Sequence, residues 1–357
     1  MNPKHILISI TIILIFFISC KPSIATNNIC MYGIDSLTNG AGGKSFRTSF
    51  DKEYKNSHED LEPGFIHIDY ATSKDLNIGY RKSSRLINMA SEDDYSIDPI
   101  KYSISGRGIY GFNLSDESFT YNIKNKPFTK VRIYYLQRPD GGSFKYKLVN
   151  AHSENSYKQS MKGDLGIKYV ELDKTSKADS IISVFKIKGN AAFYGTWYFN
   201  DKKPAASVLN IAKGGMTLSK IMTLDRSFRT YWYSQFKPEL VLFNAGTNDR
   251  LTVNGDTFKK SLNNYMSDVL EASPKTNFVI VEPNQTADYK TSFAIDYTIK
   301  RNELAREKEL EMLDIPKLIG NYEFFVENNL MLDGVHPNEA GFELISKVTL
   351  EYLKINN

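Results

Sequence analysis

Cysteine is almost missing from the chain: Cys20 and Cys30 are the only two in 357 residues. They cannot build a disulfide framework, because Cys20 falls in an N-terminal targeting segment and leaves Cys30 without a partner. Cys30 lies in the apolar run Ile29-Cys30-Met31-Tyr32 and reads as a small buried residue of a first strand. Histidine is also sparse, with His5, His58, His67, His152 and His336. No group of His, Cys, Asp and Glu has the spacing of metal ligands, so no metal or cofactor is expected. There is no excess of one charge either. The 45 basic and 41 acidic residues leave a net charge of +4, which gives no reason to propose nucleic acid as a partner. Tryptophan occurs twice, against 22 Tyr and 21 Phe. That usage suits a β-rich domain and, less directly, a sugar-facing surface.

Long apolar runs are confined to the N-terminus. Lys4 precedes an apolar stretch from Ile6 to Ile18, interrupted only by Ser9 and Thr11. It falls short of the roughly 20 residues that a membrane-spanning helix needs, and residues 1–25 read as a signal peptide. Two processing sites compete. Phe17-Ile18-Ser19-Cys20 resembles a bacterial lipobox, which would leave a lipidated Cys20 as the only link to a membrane. Ser23-Ile24-Ala25 resembles an ordinary signal-peptidase site. Either way the mature protein is expected to be exported to the periplasm or cell envelope.

The rest of the chain divides by its hydrophobic periodicity. Short buried runs at 29–34, 207–211, 239–244 and 277–281 alternate with helical patterns that open at Thr217, span 256–272 and 293–313, and close the chain over 339–353. That alternation predicts an α/β domain: a parallel sheet with helices on both faces, built from 26–61 and 203–357. Residues 62–202 break the pattern. They carry period-two runs at 65–70, 106–112, 130–136, 144–149, 181–187 and 191–199, separated by turn signals such as Arg138-Pro139-Asp140-Gly141-Gly142 and Lys188-Gly189-Asn190. The runs 130–136 and 143–149 read as a hairpin, and the whole stretch as an inserted all-β sandwich of jelly-roll type. It is expected to be a separate module overhanging the site. Tyr134, Tyr135, Tyr194, Trp197 and Tyr198 could stack on sugar rings, although core positions suit any one of them better.

Four short segments follow one another at or beside the ends of predicted strands. They are Gly33-Ile34-Asp35-Ser36, Gly214-Gly215-Met216-Thr217, Gly246-Thr247-Asn248-Asp249 and Asp333-Gly334-Val335-His336. Ser36 is a candidate nucleophile that needs a base to take its proton, and His336 is the one histidine within a D-x-x-H segment. Asp333, three residues earlier, can hold the imidazole in the tautomer that leaves its other nitrogen toward the serine. A lone D-x-x-H would be a polar loop with a capping Asp. It is the company of the other three segments that argues for chemistry.

In order and residue type the four segments resemble the blocks of the SGNH/GDSL hydrolases. That resemblance implies a flavodoxin-like α/β fold and a Ser36–His336–Asp333 triad. It also implies an oxyanion hole made by the backbone N–H of Ser36, the backbone N–H of Gly215 (or Gly214) and the side-chain amide of Asn248. One position departs from the pattern: Ile34 stands directly before Asp35-Ser36, where the family usually has Gly. Export and a β-sandwich between the first two blocks further resemble the peptidoglycan O-acetylesterases, whose insertion is carbohydrate-binding-like. The implied function is a carbohydrate O-acetylesterase whose partner is an acetylated envelope glycan. An O-acetyltransferase with the same triad and a non-catalytic glycan-binding lipoprotein remain as alternatives.

Overall fold

A computed structural model of the protein describes residues 28–33, 46, 49–50, 52–53, 61–62, 64–68, 78–92, 94–123, 128–149, 155–173, 180–201 and 206–355. Residues 1–25, expected to be a signal segment with Cys20, and the candidate nucleophile Ser36 lie outside the described residues.

Among the described residues, two sheets carry the fold. The first is parallel and six-stranded. Its strands are β1 (Asn28–Gly33), β2 (Leu61–Glu62), β12 (Ala206–Asn210), β13 (Leu240–Asn244), β14 (Asn277–Glu282) and β15 (Glu311–Asp314), in the order β15-β14-β13-β1-β12-β2. Leu240 to Phe243 are all buried, as are Phe278 to Val281, which is the run of apolar residues that a strand covered on both faces requires. The helices are capped by their own sequences. In α1 (Leu218–Thr223), Thr217 Oγ1 accepts the Lys220 N–H. In α2 (Arg226–Phe236), Asp225 caps the first turn, and at the far end Lys237 turns left-handed before Pro238. Next comes α3 (Gly255–Ala272), which buries Phe258, Leu262, Tyr265, Met266 and Val269, the stripe that helical spacing predicts. The chain continues through α4 (Ser292–Glu307), α5 (Ile315–Leu318), α6 (Tyr322–Glu327) and α7 (Glu339–Ile355).

One expected element divides. The sequence reads as one helix over 293–313, but α4 stops at Glu307. The Lys308 and Leu310 N–H groups close its last turn on Leu304 and Ala305 carbonyls, and Glu309 takes a φ of +54°. Glu311 to Asp314 then pair in parallel with β14 as the sheet's edge. The run Glu307-Lys308-Glu309-Leu310-Glu311 has helix-forming composition, and an open strand edge overrides that local preference. A further helix, α2, forms between the expected ones and buries Arg229, Trp232, Tyr233 and Phe236.

The second sheet is antiparallel and nine-stranded: β3 (Gly64–His67), β4 (Ile78–Lys82), β5 (Ile87–Asn88), β6 (Ile109–Ile123), β7 (Lys130–Gln137), β8 (Ser143–Val149), β9 (Tyr157–Ser160), β10 (Gly166–Asp173) and β11 (Ser180–Phe199). Everything hangs on β11, a twenty-residue strand that joins two of the predicted runs. The Lys188-Gly189-Asn190 segment, expected to be a turn, is part of a bulged stretch with register shifts between Val184 and Ala191. Gly189 adopts a φ of +74° there.

The predicted hairpin does not form. β7 pairs with β10 and with the C-terminal half of β11, whereas β8 pairs with β9 and with the N-terminal half. The linker between them crosses β11 at the bulge. A Cβ on Gly142 would come within 1.7 Å of the Lys188 carbonyl oxygen, so only glycine fits that crossing. Alternation and turn residues mark which segments are strands but not which strand each will meet.

The β domain is not a detached module. One hydrophobic core runs from Phe65, Tyr134 and Tyr194 of the β domain into Trp232 and Phe236 of α2. Ring centroids lie 4.9 Å apart for Phe65–Phe236, 5.2 Å for Tyr134–Trp232 and 5.7 Å for Tyr194–Trp232. Tyr134, Tyr135, Tyr194 and Tyr198 are buried, and Trp197 packs on Phe236. These five rings therefore fill the core and the domain junction rather than offering faces to a sugar.

Candidate active site

In a parallel sheet the loops that leave the C-terminal ends of neighbouring strands share one edge. β1 lies between β12 and β13, so the loops after those two strands flank the point where the chain leaves β1 at Gly33. Ser36 follows three residues on, outside the described residues.

The loop after β12 enters a turn at Gly214-Gly215, closed by the Met216 N–H donating to the Lys213 carbonyl at 3.2 Å. Gly215 has a φ of +72°, and a Cβ built on it would meet nothing within 4 Å. The glycine is required there by backbone conformation, since the space beside it is open.

The loop after β13 is tied directly to that turn. Asn248 Nδ2 donates to the Met216 carbonyl at 3.0 Å. The Asp249 carboxylate accepts the Leu218 N–H at 2.9 Å and the Ser219 N–H at 3.1 Å, in the first turn of α1. Burial pushes the Asp249 carboxyl upward, and these two N–H groups pull against it. The second and third blocks thus form one hydrogen-bonded unit. Gly246 turns at a φ of +109° directly above Arg301, whose Nη2 would lie 2.6 Å from an added Cβ.

The fourth block comes from the loop before α7. His336 Nδ1 lies 2.9 Å from Asp333 Oδ2 and 3.1 Å from Oδ1. The Val335 and His336 backbone N–H groups each donate to Oδ1 at 2.7 Å. These bonds, led by the His336 N–H, hold the Asp333 carboxyl down to about 2. Facing an ionised carboxylate, Nδ1 is the protonated ring nitrogen, the tautomer in which Nε2 can act as a base. The loop is fastened to the sheet edge by the Ala287 N–H, which donates to the Gly334 carbonyl at 2.7 Å.

Three supporting residues escaped the reading of the sequence. Arg301 donates through Nη1 to both Glu282 carboxylate oxygens, and through Nε and Nη2 to the Ala245 carbonyl at the root of the Asn248 loop. The signal for it was a charge on the buried face of α4, in line with Tyr297, Leu304 and Ala305. Arg107, from the β domain, donates to the Ala212 carbonyl at 2.9 Å. Lys213, which ends an apolar run just before the two glycines, is itself buried.

Residues 179–344 match the GDSL-like Lipase/Acylhydrolase family. The span covers Gly215, Asn248, Asp333 and His336 and begins downstream of the Ser36 block. The chain therefore carries an acylhydrolase domain of the GDSL type, the class its four segments resemble. A search of curated proteins finds no matching sequence. Among solved structures, a peptidoglycan O-acetylesterase aligns over 98% of this chain and 96% of its own, at a TM-score of 0.68 and 14% identity. That likeness is one of fold, and it takes in both sheets. A family two carbohydrate esterase from Clostridium thermocellum, in complex with cellohexaose, aligns over 77% of this chain and 98% of its own, at a TM-score of 0.35 and 14% identity.

Proposed function

We propose that the chain is an exported serine esterase that removes O-acetyl groups from a cell-envelope glycan, with peptidoglycan as the first candidate. The observation that carries this reading is the Asp333–His336 pair, an imidazole oriented by an ionised carboxylate at the sheet edge that also bears the linked Gly215 and Asn248 loops. The substrate class is supported by the likeness to a peptidoglycan O-acetylesterase along nearly the whole of both chains.

In this mechanism Ser36 Oγ attacks the acetyl carbonyl carbon while its proton passes to His336 Nε2. The oxyanion accepts hydrogen bonds from the Ser36 and Gly215 backbone N–H groups and the Asn248 amide. His336 then returns the proton to the sugar oxygen as the carbon–oxygen bond breaks, leaving acetyl-Ser36. Water attacks in turn, its proton goes to His336 Nε2 and from there to Ser36 Oγ as the acyl–oxygen bond breaks, and acetate leaves with Ser36 and the neutral imidazole regenerated. Export, with or without a lipid on Cys20, would place the enzyme beside its polymer.

The test is acetate release from O-acetylated peptidoglycan and hydrolysis of a chromogenic acetate ester by the mature chain, with Ser36→Ala as control. Both activities should be present in the wild type and absent in the variant. An equally active Ser36→Ala protein would overturn the reading.

A further inference from the structure

We propose that Arg107 and Tyr95, both in the β domain, are positioning residues for the oxyanion turn at Gly214-Gly215. The inference rests on the assignment of that turn under the proposed function and extends it to residues upstream of the span 179–344 that matches the acylhydrolase family.

A backbone N–H can stabilise a developing oxyanion only if it is fixed before the reaction, because a donor that must reorient costs part of what it contributes. The Gly215 turn is closed on itself by the Met216 N–H and gripped downstream by Asn248. The glycines themselves are exposed, and beyond its chain neighbours nothing lies within 4 Å of where a Gly215 Cβ would stand. What precedes the turn is buried and held from the β domain. Arg107 Nη1 donates to the Ala212 carbonyl at 2.9 Å, and Arg107 is itself clasped by Ser103, whose hydroxyl donates to the Arg107 carbonyl and accepts its N–H. One residue further on, Lys213 Nζ donates to the Tyr95 hydroxyl at 2.8 Å and to the Glu92 carbonyl at 3.1 Å. Tyr95 is fixed in turn by the chain at Gly106, where a Cβ would come within 2.2 Å of its ring.

Two consecutive residues at the root of the turn are therefore anchored to one segment, 92–107, of the other domain. On the far side Asn248 grips Met216. The turn is suspended between these two supports, one in each domain. A loosened root would let the Gly215 N–H wander. That affects the transition state, in which the oxyanion exists, more than the ground-state ester, in which it does not.

The experiment measures kcat and KM for a small acetate ester, too small to reach a remote binding surface, in Tyr95→Phe, Arg107→Ala, Arg107→Lys and Asn248→Ala. The expected result is a fall in kcat of about 10- to 100-fold in Tyr95→Phe and Arg107→Ala, with KM within about twofold, and partial recovery in Arg107→Lys. That is less than the roughly 100- to 1,000-fold that loss of an oxyanion donor costs, which is the fall expected for Asn248→Ala. Tyr95→Phe removes one hydroxyl and keeps the ring, so it remains informative if Arg107→Ala fails to fold. Folded Tyr95→Phe protein with wild-type kcat overturns the proposal. So does a kcat loss matched by an equal rise in KM. A wild-type kcat in Asn248→Ala would overturn the oxyanion reading beneath it.

Discussion

Arg301 and Glu282 form a buried ion pair beneath the loop that carries Asn248, with Nη1 3.1 and 3.0 Å from the two carboxylate oxygens. The same guanidinium holds the Ala245 carbonyl, and Thr298 Oγ1 completes the carboxylate at 2.8 Å. Breaking such a pair from one side leaves a charge buried alone, which costs about 3–5 kcal/mol. Arg301→Met should therefore lower unfolding stability by about that much and reduce kcat, because Ala245 would lose its donors. Chemical denaturation of the purified variant checks the first effect. Stability equal to wild type would mean that the pair carries no weight in the folded protein.

Two glycines beside the site should respond differently to the same substitution. Gly215→Ala strains a left-handed residue that has open space around it, at a cost of about 1–2 kcal/mol. Gly246→Ala has a positive φ as well, and its new methyl would strike the Arg301 guanidinium and the Phe258 and Tyr297 rings. Overpacking of that kind typically adds a further 1–3 kcal/mol, so Gly246→Ala should be the less stable of the two. Thermal melts of both variants rank them, and the reverse order would contradict the packing described around Gly246.

The local geometry of the candidate site was more legible in the sequence than its supports were. Asp333 and His336 are three residues apart, so one turn can join them. Gly246 to Asp249 follow an unmistakable buried strand. The supports come from far away in the chain. Arg107 is about a hundred residues from Ala212, and Arg301 more than fifty from Ala245, and no periodicity links such positions. The β domain was legible as strands but not as pairings, because β11 bends through its bulge and takes β7 on one half and β8 on the other. The edge strand β15 was hidden by helix-forming residues whose fate is decided by β14.

The two sheets meet across a shared hydrophobic core, which gives the β domain a structural role. The sequence suggests a separate module overhanging the site, and removing such a module would spare small esters. The shared core around Trp232, buried against Phe65, Tyr134 and Tyr194, with its Nε1 donating to the Tyr102 carbonyl at 3.0 Å, gives the opposite expectation. Trp232→Ala should cost about 3–5 kcal/mol. Deletion of 64–199 should abolish hydrolysis of a chromogenic acetate ester along with activity on the polymer. A soluble deletion protein that cleaves the small ester at the wild-type rate would show that the junction is dispensable.

The state of Asp333 sets the last prediction. Its carboxyl is held at about 2 by the His336 N–H, the His336 ring and the Val335 N–H, below its ordinary value of 3.8. A carboxyl depressed in the folded state adds stability above its unfolded value, and that contribution is lost as pH falls through the folded value. The window for Asp333 thus runs from about pH 4 down to about 2, below the range in which an esterase would be assayed. Asp333 should be ionised throughout the working range, and any acid limb above pH 4 must belong to another group. Asp333→Asn keeps an oxygen for the backbone donors but gives the imidazole a neutral partner, and should lower kcat by about 100- to 10,000-fold, with the upper end set by the loss seen when a triad Asp becomes Asn. A carbon-13 NMR titration of the Asp333 carboxyl, assigned by its loss in Asp333→Asn, should show no protonation between pH 5 and 4. Uptake of a proton in that interval would mean that the backbone bonds do not hold Asp333 ionised.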